Sequence, residues 1–444
     1  MKKFSLLLIA AAVFSLAVNA QEEETFISKL QPEIQYTRPG DKSGLNHFET
    51  TKDEQVPYEG LKVKLGAGFT QLFQSLTHSN SGAVPLYPRL GPGFSVAQAN
   101  LNIDVQLADG IKLNLETYLS SRHHSETWVK GGYIQFDKLP FKGEVWDNLM
   151  EYVTVKMGHM EINYGDQHFR RSDGGNTIHN PFAENYIMDA FATEVAGEVY
   201  LKYNGFMGMV GLSNGLINGG HQIPENSYRN PSLYLKGAYD KELQEKVRVR
   251  GSASWYWNTS GGRSTLYAGD RTGSNYFFVM DGVTSGNPPA ATTAANAYTS
   301  GRVNPGFTNQ IRALQLNGFA KIYGLELFGT FENAKGSTNA EKASGHSFGR
   351  SVNQLAADVI YRIGEKEKVY VGARYNTLKG EMIANNYDDK QSVNRVAVGG
   401  GWFLTPNVLL KGEYVDQKYK DWPATNRWAD GHFKGVVVAA VVGF

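Results

Sequence analysis

The stretch FRRSDGGNTIHNPF, residues 169–182, gathers chemistry-bearing residue types into one polar run. Arg170 and Arg171 are adjacent, with Asp166, Asp173, Glu184 and Asp189 close by along the chain. Fixed cations opposed by carboxylates filter and orient charged solutes; by themselves they make and break no bonds. A nucleophilic site would have to draw on Ser172, His168 and His179 beside Asp166 and Asp173, but no G-x-S-x-G elbow frames the serine. His123-His124-Ser125-Glu126 offers metal-ligand types, yet adjacent histidines on a short loop read as solvent-facing neighbours, not as a metal site. The chain has no cysteine, which excludes a disulfide framework, a thiolate metal site and a cysteine nucleophile. The reading is therefore no enzyme, no metal and no cofactor. A formal net charge of +1 argues against a nucleic-acid partner.

The segments that must position these residues alternate with period two. LKVKLGAGF sets Leu61, Val63, Leu65 and Ala67 against Lys62 and Lys64. LNIDVQLADG and IKLNLETYL repeat the alternation on either side of an Asp109-Gly110 turn. Similar runs recur to the end of the chain, giving about sixteen strands. Their connections are short on one side (108–110, 204–205, 240–246, 323–324, 364–367, 405–407) and long on the other (76–93, 122–127, 161–192, 216–230, 258–309, 333–347, 378–390, 418–431). One short-side connection, 138–149, is longer than the rest. Alternating loop lengths predict an all-β transmembrane antiparallel β-barrel rather than a sandwich or propeller.

The ends agree. MKKFSLLLIAAAVFSLAVNA reads as a secretory signal peptide over residues 1–20, cleaved after Ala20. Residues 21–59 are polar and proline-interrupted, an irregular extension expected on the periplasmic side. The barrel is expected over 60–444, closing with HFKGVVVAAVVGF, whose terminal aromatic resembles the C-terminal signal of Gram-negative outer-membrane proteins. Outer-membrane lipid and lipopolysaccharide are the surroundings this predicts.

If the apolar members of each strand face lipid, the charged alternates line the lumen. Lys62, Lys64, Lys112, Lys156, Lys202, Lys236, Arg248, Arg250, Arg312, Lys321, Arg362, Arg374 and Arg395 make that lining mildly basic. Sixteen strands leave room for an aqueous channel. The predicted function is therefore a porin for passive diffusion of small polar solutes, with anions preferred. The third long loop, 161–192, resembles the loop that general porins fold into the lumen. In that arrangement Arg170, Arg171, Asp166, Asp173 and Glu184 form the pore constriction. The other reading of the loop is an ordinary surface one whose arginines pair locally with Asp173.

KMGHMEINYGDQ, residues 156–167, partly resembles the phosphate-selective porin O and P family, with Asn163-Tyr164-Gly165 standing where that family has a Pro-Phe-Gly turn. That resemblance and the likeness to general porins imply a homotrimer. Two alternatives stay open: a barrel for hydrophobic compounds plugged by residues 21–58, and a structural or adhesive barrel.

Overall fold

The computed structural model describes residues 31–53, 56–95, 97–119, 127–172, 175–215, 228–262, 264–267, 277–282 and 301–444. The signal peptide, Asp173, His123 and His124 lie outside the described residues. Residues Ile34–Phe444 form one compact unit. Its strands are β1 (Lys62–Ser79), the two-residue β2 (Gly93–Phe94), β3 (Gln98–Ala108), β4 (Ile111–Leu119), β5 (Trp128–Phe136) and β6 (Val153–Glu161). They continue with β7 (Thr193–Tyr203), β8 (Phe206–Ser213), β9 (Ser232–Gln244), β10 (Val247–Asn258), β11 (Gln310–Ile322) and β12 (Leu325–Ser337). The last five are β13 (Arg350–Ile363), β14 (Val369–Gly380), β15 (Gln391–Thr405), β16 (Val408–Lys420) and β17 (His432–Gly443).

Sixteen long strands pair antiparallel with their sequence neighbours, as the alternation predicts. The sheet closes because β1 pairs with β17, from Gly68↔Gly443 to Ser79↔His432. On its other edge β1 pairs with β3, from Lys62↔Gln106 to Thr70↔Gln98, and with β2. Closure leaves no strand edge to pair with another chain. The short turns need left-handed backbone, supplied at β7–β8 by Asn204 and Gly205, with φ 47° and 83°. The longer 138–149 connection is occupied by a short helix, α1 (Glu144–Met150).

β13 shows the rule that governs every wall strand. Val352, Gln354, Ala356, Asp358, Ile360 and Arg362 point inward and are at most 3% exposed. Leu355, Val359 and Tyr361 point outward and are 48–54% exposed. On β13 the charged residues thus face in and most of the large apolar ones face out, unlike a strand of a water-soluble domain. The rule places Arg312 outward, between buried Ile311 and Ala313, and not in the lumen where the sequence reading put it. Tyr118 and Phe403 are buried in the interior.

At the long-loop rim a helix of one turn, α2 (Asn339–Ala343), is closed by a capping box between Thr338 and Glu341. Glu341 receives Arg350 bidentately at 2.7 and 3.1 Å, and Asn385 N donates to it at 2.8 Å. Arg350 also donates to the carbonyls of Pro305 and Glu381, so one buried pair ties three loops together. Removing one partner of such a pair leaves an uncompensated charge, at a cost of about 3–5 kcal/mol. Glu341→Gln is accordingly expected to lower the urea midpoint of the micelle-folded protein and to expose 338–349 to protease.

Candidate functional site

Two segments fill much of the barrel interior. The first is residues 34–53, a strap that visits much of the wall near the short-turn rim. Gln35 is fixed to the β3–β4 turn: its N donates to Gln106 Oε1 at 2.9 Å, and its Oε1 accepts from Gly110 N at 2.8 Å. Lys112 on β4 donates to Tyr36 O and, at 3.1 Å, to Thr37 Oγ1. Across the barrel, Lys42 N donates to Pro406 O in the β15–β16 turn. Asn46 donates to Glu326 of β12 at 2.6 Å, and Lys52 returns to the β5–β6 side, donating to Asp137 O and Val153 O. Between them Phe48 packs edge-on against Phe169 and Phe319, with the Arg250 guanidinium 4.2 Å from its ring centroid.

The second is the third long loop, 162–192. It packs across the interior, against the inward faces of β10–β16. Asp166 N donates to Asn317 of β11, Met188 N to Gln354 of β13, Ile187 N to Asn376 of β14 and Ala183 N to Glu413 of β16, all within 2.9 Å. In return, wall cations donate to loop carbonyls. Lys411 takes those of Thr177, Asn180 and Phe182, each at 2.8 Å. Arg374, held bidentately by Asp358, takes Glu184 O; Arg395 takes Asn185 O.

Strap, loop and wall meet in one charge cluster. Asp166 of the loop accepts from Arg250 Nε at 2.8 Å and lies 2.8 Å from Lys236 Nζ. Glu49 of the strap lies 2.9 Å from Lys236 and 2.7 Å from Arg250. Asp240 joins Arg250 at 3.2 Å and binds Arg248 through both oxygens at 2.7 Å. Three cations therefore face three carboxylates. Burial opposes ionisation of the two inner carboxyls, but Lys236 and Arg250 prevail, holding Glu49 at about 2 and Asp166 far below the carboxylate range.

The arginine pair is buried between these elements. Arg170, 1% exposed, donates to Asn46 and lies against Phe328 and Phe319 at 5.0 and 5.7 Å. Arg171, 2% exposed, donates to Glu161 at 2.9 Å and to Asp189, over the Phe191 ring. Glu184 is buried beneath Arg374. Lys62 pairs with Glu59 at 3.0 Å.

One cavity, of about 310 Å³, follows the β1–β7 wall and is lined by Lys64, Lys112, Lys130, Lys156 and Lys202, by Asp104, Glu116 and Glu161, and by Tyr133 and Tyr200. Lys112 is engaged by the strap and Lys130 lies 3.4 Å from Glu116. Lys64, Lys156 and Lys202 have no ion pair among the described residues; Lys156 sits 4.1 Å from the Tyr133 ring centroid and Lys202 5.2 Å from that of Tyr200. A second cavity of about 820 Å³ adjoins it at the short-turn side, lined by the strap, Arg248 and Arg250. The two share Tyr36, Thr37, Phe48, Glu49, Thr50 and Lys202 as lining. Lys130 and Lys411 were absent from the sequence-based lining. Inward alternation was the signal for both, the opposite of Val129 and Leu410.

No family model matches the chain, and no curated relative does. Among solved structures, an anion-selective porin from Comamonas acidovorans has a TM-score of 0.52 at 11% identity, over 86% of this chain and 100% of that one. OmpF of Salmonella typhi in complex with daunomycin scores 0.48 at 8% identity, covering 87% and 99%. The outer membrane channel DcaP of Acinetobacter baumannii scores 0.47 at 9%, covering 87% and 99%. The first of these is a likeness of fold, the closed antiparallel barrel.

Carboxylates with depressed folded-state pKa values stabilise above their unfolded values near 4, and that contribution is lost as pH falls through the folded value. The Glu49 and Asp166 contacts should therefore hold the strap fully above about pH 4 and weaken toward pH 2. The loss is expected as a fall in the urea midpoint of the folded protein between about pH 4 and pH 2, read by tryptophan fluorescence. His168 is held well below its ordinary value by burial first, and by the neighbouring Lys236 and Arg171.

Proposed function

We propose that the chain is an outer-membrane porin in which small polar solutes, anions preferred, pass along the β1–β7 wall between strap and loop. The observation that carries this reading is the cavity with three half-buried lysines, Lys64, Lys156 and Lys202, that lack carboxylate partners among the described residues. Their uncompensated charge makes the narrow space attractive to anions and repellent to cations. The apolar outward belt supports a bilayer around the barrel, since a contiguous exposed apolar surface of this extent needs lipid or protein to cover it. Cleavage after Ala20, lipopolysaccharide contact and a homotrimer belong to the same reading; the trimer is tested by mass in detergent.

In this reading Arg170 and Arg171 anchor the loop and do not meet the solute, because their guanidinium groups are spent on Asn46, Glu161 and Asp189. One observation favours a second reading, a barrel closed by its own chain: the strap is bonded to β3–β4, β12, β9–β10 and β5–β6 around the mouth. A pocket for hydrophobic compounds is disfavoured by the charged lining.

Lys64→Gln, Lys156→Gln and Lys202→Gln combined are expected to lower the anion-to-cation permeability ratio several-fold, read as the zero-current potential across a planar bilayer under a salt gradient. An unchanged potential in an open channel would sink the proposed route. Deleting residues 34–53 should raise conductance at least twofold in a strap-narrowed channel, and should turn a silent protein into a conducting one if the strap closes it.

A further inference from the structure

The outward face carries charge where the apolar belt ends, and it does so on one half of the barrel. Arg312 of β11 stands directly opposite Lys335 of β12. Lys379 of β14 and Lys420 of β16 both face Ser392 of the strand between them. Lys418 of β16 faces His432, and Lys434 of β17 faces Asp416. Alternation turns all six cations outward, because their chain neighbours Ile311, Ala334, Leu378, Gln417, Tyr419 and Phe433 are buried at 2% exposure or less. Among the described residues none of the six makes an ion pair. The single outward carboxylate at this level on these strands, Asp416, is engaged by His432 at 3.1 Å. From β11 to β17 the arc crosses six strand spacings, roughly 29 Å.

Toward the short-turn rim comes first a polar outward row, Asn333, Asn353, Thr377 and Asn394, and then Leu314, Phe331, Leu355, Tyr375, Val396 and Tyr414, each 39–51% exposed. On the other half of the barrel, Val195, Leu212 and Trp257 carry apolar surface up to the long-loop rim. Among the described residues, the outward strand cations of the long-loop side lie on β11–β17, at the level at which a bilayer changes from hydrocarbon to headgroup.

We propose that this arc binds the phosphate groups of anionic membrane lipids in the leaflet at the long-loop rim. The inference rests on the reading of the barrel as membrane-embedded. Lysines projecting beyond a belt of Leu, Val and Tyr reach headgroup phosphates while their acyl chains lie on the belt, a geometry that a free anion does not require. The arc also fixes how the barrel sits: the charged half faces lipid, leaving the β7–β10 half as the apolar side.

The test is native mass spectrometry of the detergent-solubilised full chain, titrated with bis-phosphorylated lipid A and, separately, with phosphatidylcholine. The wild type is expected to retain lipid A at least tenfold more tightly than phosphatidylcholine. The variant K379Q/K418Q/K420Q/K434Q should lose that preference, as should the wild type at about 0.5 M salt. K142Q/K241Q/K246Q/K366Q, the same charge change at the short-turn side, should keep it. Equal retention by the two quadruple variants, or no preference in the wild type, overturns the proposal. Displacement of lipid A by an equal concentration of inorganic phosphate would also overturn it, making the arc a free-anion site. Planar-bilayer conductance of the same preparations separates the two readings. Conducting protein without lipid preference removes only the lipid arc, whereas protein that stays dispersed without detergent removes the membrane reading with it.

Discussion

Everything inside this barrel depends on the cluster in which Lys236 and Arg250 of the wall hold Asp166 of the loop and Glu49 of the strap. An apolar exterior forces the charged strand residues inward. A cation that turns inward and loses water must find a compensating group, since an isolated buried charge costs far more than any single packing contact returns. Here the chain supplies that group from its own loops. Each of the two wall cations contacts both carboxylates, so the strap and the loop hold the same pair of charges jointly.

The same logic orders the rest of the wall. Where the loop passes, cations are consumed by its backbone: Lys411 holds three carbonyls, and Arg374 and Arg395 hold one each. Beside the cavity, Lys64, Lys156 and Lys202 stay half-buried and make no ion pair among the described residues. An interior charged on most of its strands thus divides into cations held by the loop and cations that border the cavity.

The barrel itself was legible. Strict alternation at Val352–Arg362 or Leu101–Leu107 dictates a strand with one apolar face, and short connections alternating with long ones dictate an up-and-down closed sheet. The interior was not legible, because alternation says which way a side chain points and nothing about what lies opposite. Arg170 donates to Asn46, more than a hundred residues away in sequence, a partner no local pattern points to, whereas Arg171 pairs with Glu161 and Asp189 close by along the chain. The strap was legible only as the plugged-barrel alternative, because Gln35, Asn46, Phe48 and Glu49 form no periodic pattern and find their partners on different strands. Arg312 was misplaced because charge was taken as a sign of the lumen, while at the rim of a barrel charge is equally at home outside.

Accessibility to water, more than residue identity, therefore separates structural from selective cations in this fold. Lys236 and Lys156 both project inward, yet Lys236 is wholly enclosed by Glu49, Asp166 and Asn163 while Lys156 borders the cavity over a tyrosine ring. The first has its field cancelled within about 3 Å and cannot act on a passing ion. The second has no opposing carboxylate in an ion pair among the described residues, and its field extends into the cavity. Counting inward lysines and arginines therefore overstates the charge open to the cavity, which is set by the few that strap and loop leave unpaired.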